Sequence, residues 1–130
     1  MKTARNPETI HPPVGSYVHQ MEVTGSNRWL TISGQIGMNL DGSVPEEPLE
    51  QFELALNNIK RNLEAANMGI QDLTKLVFFL VGDFDTDKRR KIVKDFLGDH
   101  IPCTTLLYVV ALAASSLRVE IDAWACKEIG

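Results

Sequence analysis

Leu76-Val-Phe-Phe-Leu-Val81 is apolar at six successive positions and then stops at Gly82. A bounded run of that length predicts a strand. Successive side chains of a strand point to opposite faces, so an unbroken apolar run needs both faces of its sheet withdrawn from water. The flanking segments supply cover for one face. From Pro48 to Asn67 the residues Leu49, Phe52, Leu56, Ile59, Leu63 and Ala66 recur at alternating steps of three and four, the stripe of an amphipathic helix, with Gly69 as its stop. An isolated coiled coil is the competing account, but so short a stripe ending at a glycine fits a helix packed on a sheet better. After Val81 a second helix is predicted over Thr86–Leu97, capped by Asp85 or Thr86, with Ile92, Val93, Phe96 and Leu97 turned inward.

Farther out the pattern is one of strands. Tyr17–Val23 alternates loosely, and Trp29–Ser33 reads as a strand ending at Gly34. Asn39-Leu-Asp-Gly-Ser43 is a turn, because Asp-Gly tolerates the positive φ of a tight reversal. Thr104–Leu112 and Leu117–Cys126 are the last two strands; the second sets Leu117, Val119, Ile121 and Ala123 against Arg118, Glu120 and Asp122. The order strand, strand, helix, strand, helix, strand, strand predicts an α+β domain over residues 13–130, with both helices on one face of a mixed sheet, behind a polar arm of residues 1–12. Leu106–Val110 is also apolar at every position. Half a dozen Leu, Val and Phe side chains, each worth ~1.5–3 kcal/mol when buried, would then lie on the second face. No segment remains to cover them, so a symmetric oligomer is expected, with a sheet curled on itself as the alternative.

Composition narrows the function. The chain has 130 residues, 17 acidic and 13 basic, with a net charge of −4. That balance repels polyanions and disfavours nucleic acid as a partner. The one basic cluster, Lys88, Arg89, Arg90, Lys91 and Lys94, is interleaved with Asp85, Asp87 and Asp95 and reads as a solvated helix face. Cys103 and Cys126 have no metal-type spacing and are expected to be reduced thiols in a cytoplasmic protein. No cofactor, metal or membrane span is expected, and Lys2 and Arg5 are not followed by the apolar run of a secretory signal.

Five pieces carry a resemblance. They are Pro13-Val-Gly-Ser-Tyr17, Ser33-Gly-Gln-Ile36, Gln51 with Leu56-Asn-Asn-Ile59 and Leu63, Asp72 with Lys75 to Leu80, and Val119-Glu-Ile-Asp-Ala-Trp-Ala125. In this order, over about Pro13–Ala125, they resemble the RidA/YjgF family, also called L-PSP endoribonucleases or reactive intermediate deaminases. The resemblance implies a chorismate-mutase-like homotrimer with a pocket at each subunit interface. There a small 2-imino or enamine acid derived from an amino acid is hydrolysed to ammonia and a 2-oxo acid. It also implies that Tyr17, Gly34 and Glu120 line that pocket, with backbone groups near Thr104 to Leu106 helping to hold a water.

One departure matters. The family has arginine in a Pro-x-Arg-Ser stretch, and here the stretch is Pro102-Cys103-Thr104-Thr105. A guanidinium holds a carboxylate through two charge-assisted bonds, whereas a threonine hydroxyl offers one neutral bond. Arg90 stands where the family's second helix has Asn, Val93 where it has Tyr, and Ala113 near the usual proline. Glu120, between Val119 and Ile121, is the candidate general acid or base, against a plain wet-face alternation. Tyr17 is either a phenol donor or an anchor for the arm. Ser33, Gly34, Thr104, Thr105 and Leu106 are candidate ligand-binding positions. A Cys103–His100 pair is a further, weaker candidate. The reading is a small-metabolite-binding protein whose deaminase activity is weak or absent, and if an enzyme then a hydrolase. The alternatives are an active deaminase whose arginine function comes from Arg90 or Arg118, and an RNA-directed endoribonuclease or translation inhibitor.

Overall fold

In the computed structural model, which describes residues Met1–Gly130, the apolar run lies inside a four-stranded sheet. In chain order the elements are β1 (Lys2–Arg5), β2 (Gln20–Val23), β3 (Asn27–Ile36), α1 (Pro48–Ala65), a 3₁₀ turn (Ile70–Asp72), β4 (Leu73–Leu80), α2 (Thr86–Leu97), β5 (Cys103–Tyr108) and β6 (Val119–Glu128). The sheet runs β3-β6-β4-β5; β6 is antiparallel to both neighbours, and β4 and β5 are parallel across α2. Strands β1 and β2 pair with each other as a separate antiparallel ribbon. The arm therefore begins with a strand that hydrophobic periodicity could not reveal, since Lys2–Arg5 has no apolar alternation.

Alternation sorts the sheet into two faces. Leu76, Phe78 and Leu80 of β4 and Val119, Ile121, Ala123 and Ala125 of β6 are buried with Phe52, Leu56, Ile59 and Leu63 of α1. Phe52 stacks on Phe78 at 5.6 Å between ring centroids and meets Phe84 edge-on at 6.1 Å. The other face carries Lys75, Val77 and Phe79 of β4 and Glu120, Asp122 and Trp124 of β6, all only half-buried. No helix lies over them, so the expected α+β layout with one helix-covered face is what the chain adopts.

Several boundaries differ from expectation, each for a local reason. α1 stops at Asn67 rather than Gly69. Asn67 takes φ 56° while the amides of Met68 and Asn67 return to the carbonyls of Leu63 and Glu64, a Schellman closure that asparagine tolerates. Gly69 instead opens the 3₁₀ turn, its amide donating to Asp72 Oδ2 at 2.8 Å. β3 does not end at Gly34; it continues to Ile36 through an irregularity between Ile32 and Gln35. β5 ends at Tyr108, short of Leu112, because the chain after Val109 leaves β4 for the turn leading to β6. β2 starts at Gln20, and β6 is displaced two residues toward the C-terminus. α2 matches its predicted span, with Asp85 accepting from the Lys88 amide at 3.0 Å.

The buried amide of Gln51 locks this frame. Its Nε2 donates to Pro45 O at 2.7 Å and to Ser116 O at 3.0 Å, and its Oε1 accepts from the Arg118 amide at 2.8 Å. The first turn of α1 is thus tied to the entry into β6. Gly37 must pass beside this residue, since a Cβ there would fall 2.5 Å from the Gln51 backbone. Gln51→Ala should lower stability by about 3 kcal/mol, because two carbonyls and one amide lose their partner. Urea denaturation checks this, and a loss under about 0.5 kcal/mol would contradict the role.

On the open face Lys75 lies opposite Cys103 and donates to Thr105 Oγ1 at 2.9 Å. Burial pushes the Cys103 thiol up from its ordinary value, and the nearby Lys75 charge partly opposes that. The thiolate is the reactive form, so alkylation of Cys103 by iodoacetamide at pH 7.5 should be slow and rise steeply above pH 9. Lys75→Met removes the opposing charge and should slow it further; a thiol that reacts as fast at pH 7.5 as at pH 10 contradicts the assignment.

Candidate functional site

α2 leans on α1 and on the 3₁₀ turn rather than on β5. The register pairs Leu76 with Thr104, Phe78 with Leu106 and Leu80 with Tyr108, which puts those three β5 residues on the helix side of the sheet. No helix covers them there: Leu106 is 37% and Tyr108 54% exposed. The space between α2 and β5 is an open cleft of about 980 Å³. Its floor is Phe78, Thr104 and Leu106, one wall is α2 through Arg89, Arg90, Val93, Lys94 and Leu97, and the other is the Val14–Tyr17 loop. The Val18 amide donates to Pro102 O, which pins this loop to the start of β5. β5 is the edge strand, so its outward amides and carbonyls have no strand partner.

Four predicted positions meet here: Tyr17, Thr104, Thr105 and Leu106. Tyr17 Oη accepts from the Val14 amide at 3.3 Å, and the ring packs edge-on to His19 at 5.6 Å. The phenol therefore serves the loop as an anchor and still keeps its own proton to donate. Thr104 stands on the cleft floor, where the resemblance calls for a guanidinium.

The other three gather elsewhere. The irregularity in β3 brings Gly34 so close to Glu120 that a Cβ at Gly34 would overlap the carboxylate. Ser33 adjoins them, and its carbonyl accepts from Gln35 Nε2 at 2.9 Å. Glu120 is paired with Ile36 and Phe79 and opens on the face without helices. Its row continues through Phe79 to Leu107 of β5, three residues beyond Thr104 and on the opposite face. Two strand spacings, about 9.5 Å, plus the thickness of the sheet separate the two groups. Within one chain the candidate residues form two separate groups.

The rescue positions are also resolved. Arg90 lines the cleft, as does its neighbour Arg89. Arg118 does not: its Nη1 lies near Gly82, at the end of β4 away from Thr104. The reading of the basic cluster as a solvated face holds for Lys91, exposed and bridged to Asp95 at 2.9 Å, and fails for Arg89, which is half-buried. The missed signal was helical spacing, since Arg89 and Arg90 precede Val93 and Leu97 on one stripe of α2. His100 donates from Nε2 to Leu73 O at 2.7 Å and has no hydrogen bond to Cys103, which sits beside Lys75 instead. No group of three or more His, Cys, Asp or Glu is placed to hold a metal, and no helix is long and apolar enough to cross a membrane.

Comparison with known proteins bears on the family and the fold. The sequence profile of the family described as endoribonuclease L-PSP matches residues 8–127. A RutC family protein of Pyrococcus horikoshii is 28% identical over 98% of this chain and 100% of its own length. The structure of the Rid-family protein YyfB from Yersinia pestis superposes with a TM-score of 0.82 at 28% identity, over 97% of this chain and 98% of that one. TdcF of Escherichia coli, which carries a reactive intermediate deaminase name and was solved with serine bound, aligns at a TM-score of 0.69 and 28% identity over 97% and 96% of the two chains. With its profile matched across nearly its whole length and the fold shared, the chain belongs to the endoribonuclease L-PSP family, the RidA/YjgF group.

Proposed function

We propose that this chain binds a small amino-acid-derived imine, enamine or related carboxylate in the cleft between α2 and β5, and that its hydrolysis of ordinary 2-imino acids is weak or absent. The observation that carries the reading is Thr104 on the cleft floor beside Tyr17. A hydroxyl there gives a substrate carboxylate one neutral hydrogen bond, where a guanidinium would give two charged ones.

The half-site at Gly34 and Glu120 is completed, in this reading, by the cleft of a second subunit in a homotrimer. Support comes from the half-buried, helix-free face that carries Glu120 and from the exposed helix side of β5, both of which another copy would cover. In such a shared site the Glu120 carboxylate takes a proton from water as the water adds to the imine carbon. It returns that proton to nitrogen to give the carbinolamine, then carries the carbinolamine's hydroxyl proton to nitrogen as the C–N bond breaks, releasing ammonia and the 2-oxo acid. Gly34 gives this carboxylate the room that any side chain would deny. Tyr17 donates its phenol proton to a substrate oxygen. The two unpaired thiols fit a reducing, cytoplasmic setting.

A second reading has an observation in its favour: Arg89 and Arg90 line the same cleft and bring guanidinium groups to it from α2. In that case the chain is an active deaminase.

Release of ammonia and 2-oxo acid from enzymatically generated 2-iminobutanoate separates the two. Under the first reading Thr104→Arg raises the rate by roughly tenfold to a hundredfold, as the exchange of a neutral for a charged bidentate contact implies, and adding Glu120→Gln abolishes the gain. A wild type as fast as Thr104→Arg, and disabled by Arg90→Gln, establishes the second. Sedimentation equilibrium should give three times the chain mass of 14.5 kDa; a monomer at micromolar concentration contradicts the shared site.

A further inference from the structure

The cleft holds more positive charge than one carboxylate requires. Arg89, Arg90, Lys91 and Lys94 line it, and Asp99 is the one acidic residue among its walls. Lys91 is occupied by Asp95, but Arg89, Arg90 and Lys94 take part in none of the ion pairs of the structure. Arg89 is half-buried, and its Nε is shut off from solvent without a hydrogen-bond partner. A buried charged donor left unpaired is costly, so an anion that draws this guanidinium toward the cleft gains a bond the empty protein lacks. Beneath it the Thr104 hydroxyl can donate from the floor. Two guanidinium forks on one helix, an ammonium one turn on and the Thr104 hydroxyl opposite exceed what the two oxygens of a carboxylate can accept. They match the three oxygens and double charge of a phosphoryl group.

We propose that the α2–β5 cleft recognises a small molecule bearing a phosphate group, gripped by Arg89 and Arg90 with Lys94 at the rim and Thr104 donating from below. The inference rests on the reading that this cleft is the ligand site, and it narrows that site's ligands to phosphorylated metabolites. The replacement of arginine by Thr104 then has a reason: a carboxylate clamp gave way to a phosphate site whose charge comes from the helix.

Calorimetric titration of the intact protein at pH 8 and low salt tests this, with inorganic phosphate, phosphoserine, serine and acetate as probes. Phosphate and phosphoserine should bind at least tenfold more tightly than acetate and serine. Arg89→Gln should weaken them at least tenfold, and Lys88→Gln, which removes the same charge from the same helix outside the cleft, should change them less than twofold. If Arg89→Gln does not fold by circular dichroism, Arg90→Gln carries the same expectation. Acetate binding as tightly as phosphate, with the same dependence on Arg89, overturns phosphate selection and leaves the cleft as the ligand site. Absence of anion-induced shifts in the Thr104 and Thr105 amide resonances overturns both. Equal losses from Lys88→Gln and Arg89→Gln reduce the effect to net charge and overturn the proposal. So does a single-stranded RNA that outcompetes phosphoserine through the same residues.

Discussion

The structure turns on where α2 rests. Helix and sheet must share an apolar seam, and α1 provides one that is continuous, with Phe52, Leu56, Ile59 and Leu63 fully buried against β4 and β6. α2 has a much thinner seam. Of its inward residues only Leu97 is buried, while Ile92, Val93 and Phe96 stay half-exposed at the margin of the core. A helix so placed cannot also cover the edge strand, and the uncovered strip of β5 becomes the floor of the cleft. The Gln51 amide holds the other end of this arrangement, where α1 meets the entry to β6 and fixes the register that carries Glu120.

The same geometry divides the candidate residues of one chain into two groups. Register places Glu120 and Thr104 on opposite faces and two strands apart, so no side-chain rotation within a subunit can join them. Gly34 is paired with Glu120 by close approach, and Tyr17 with Thr104 by the loop that Pro102 anchors. Chemistry that needs all four must draw on two copies, and the uncovered face is where a second copy has surface to bury. Positive charge enters this frame from α2 and not from β5, which puts the cationic side chains on the wall of the cleft and not on its floor.

Much of the fold was legible because hydrophobic period reports burial directly. The stripe of α1, the run of β4 and the alternation of β6 all depend on side chains whose partners lie across a single seam. The boundaries were less legible, since caps and irregularities depend on backbone geometry: Asn67 stops α1 where a glycine two residues later looked the better stop, and β3 runs on past Gly34. β1 was invisible because it pairs through the backbone of a polar arm. For the site, the family resemblance marked Tyr17, Gly34, Thr104 and Glu120, but nothing in one dimension says that they divide into two groups. Arg89 was missed because its charge suggested solvent, although its place on the stripe with Val93 and Leu97 pointed toward the cleft.

The central claim is that the Glu120 half-site of one subunit faces the Thr104 cleft of another. A crystal structure of the assembled protein tests it most directly. The account predicts the Glu120 carboxylate of one copy at the mouth of its neighbour's cleft, looking across at Thr104 and the α2 arginines. A solitary subunit, or an assembly that buries the open face while leaving Glu120 remote from every cleft, would contradict it.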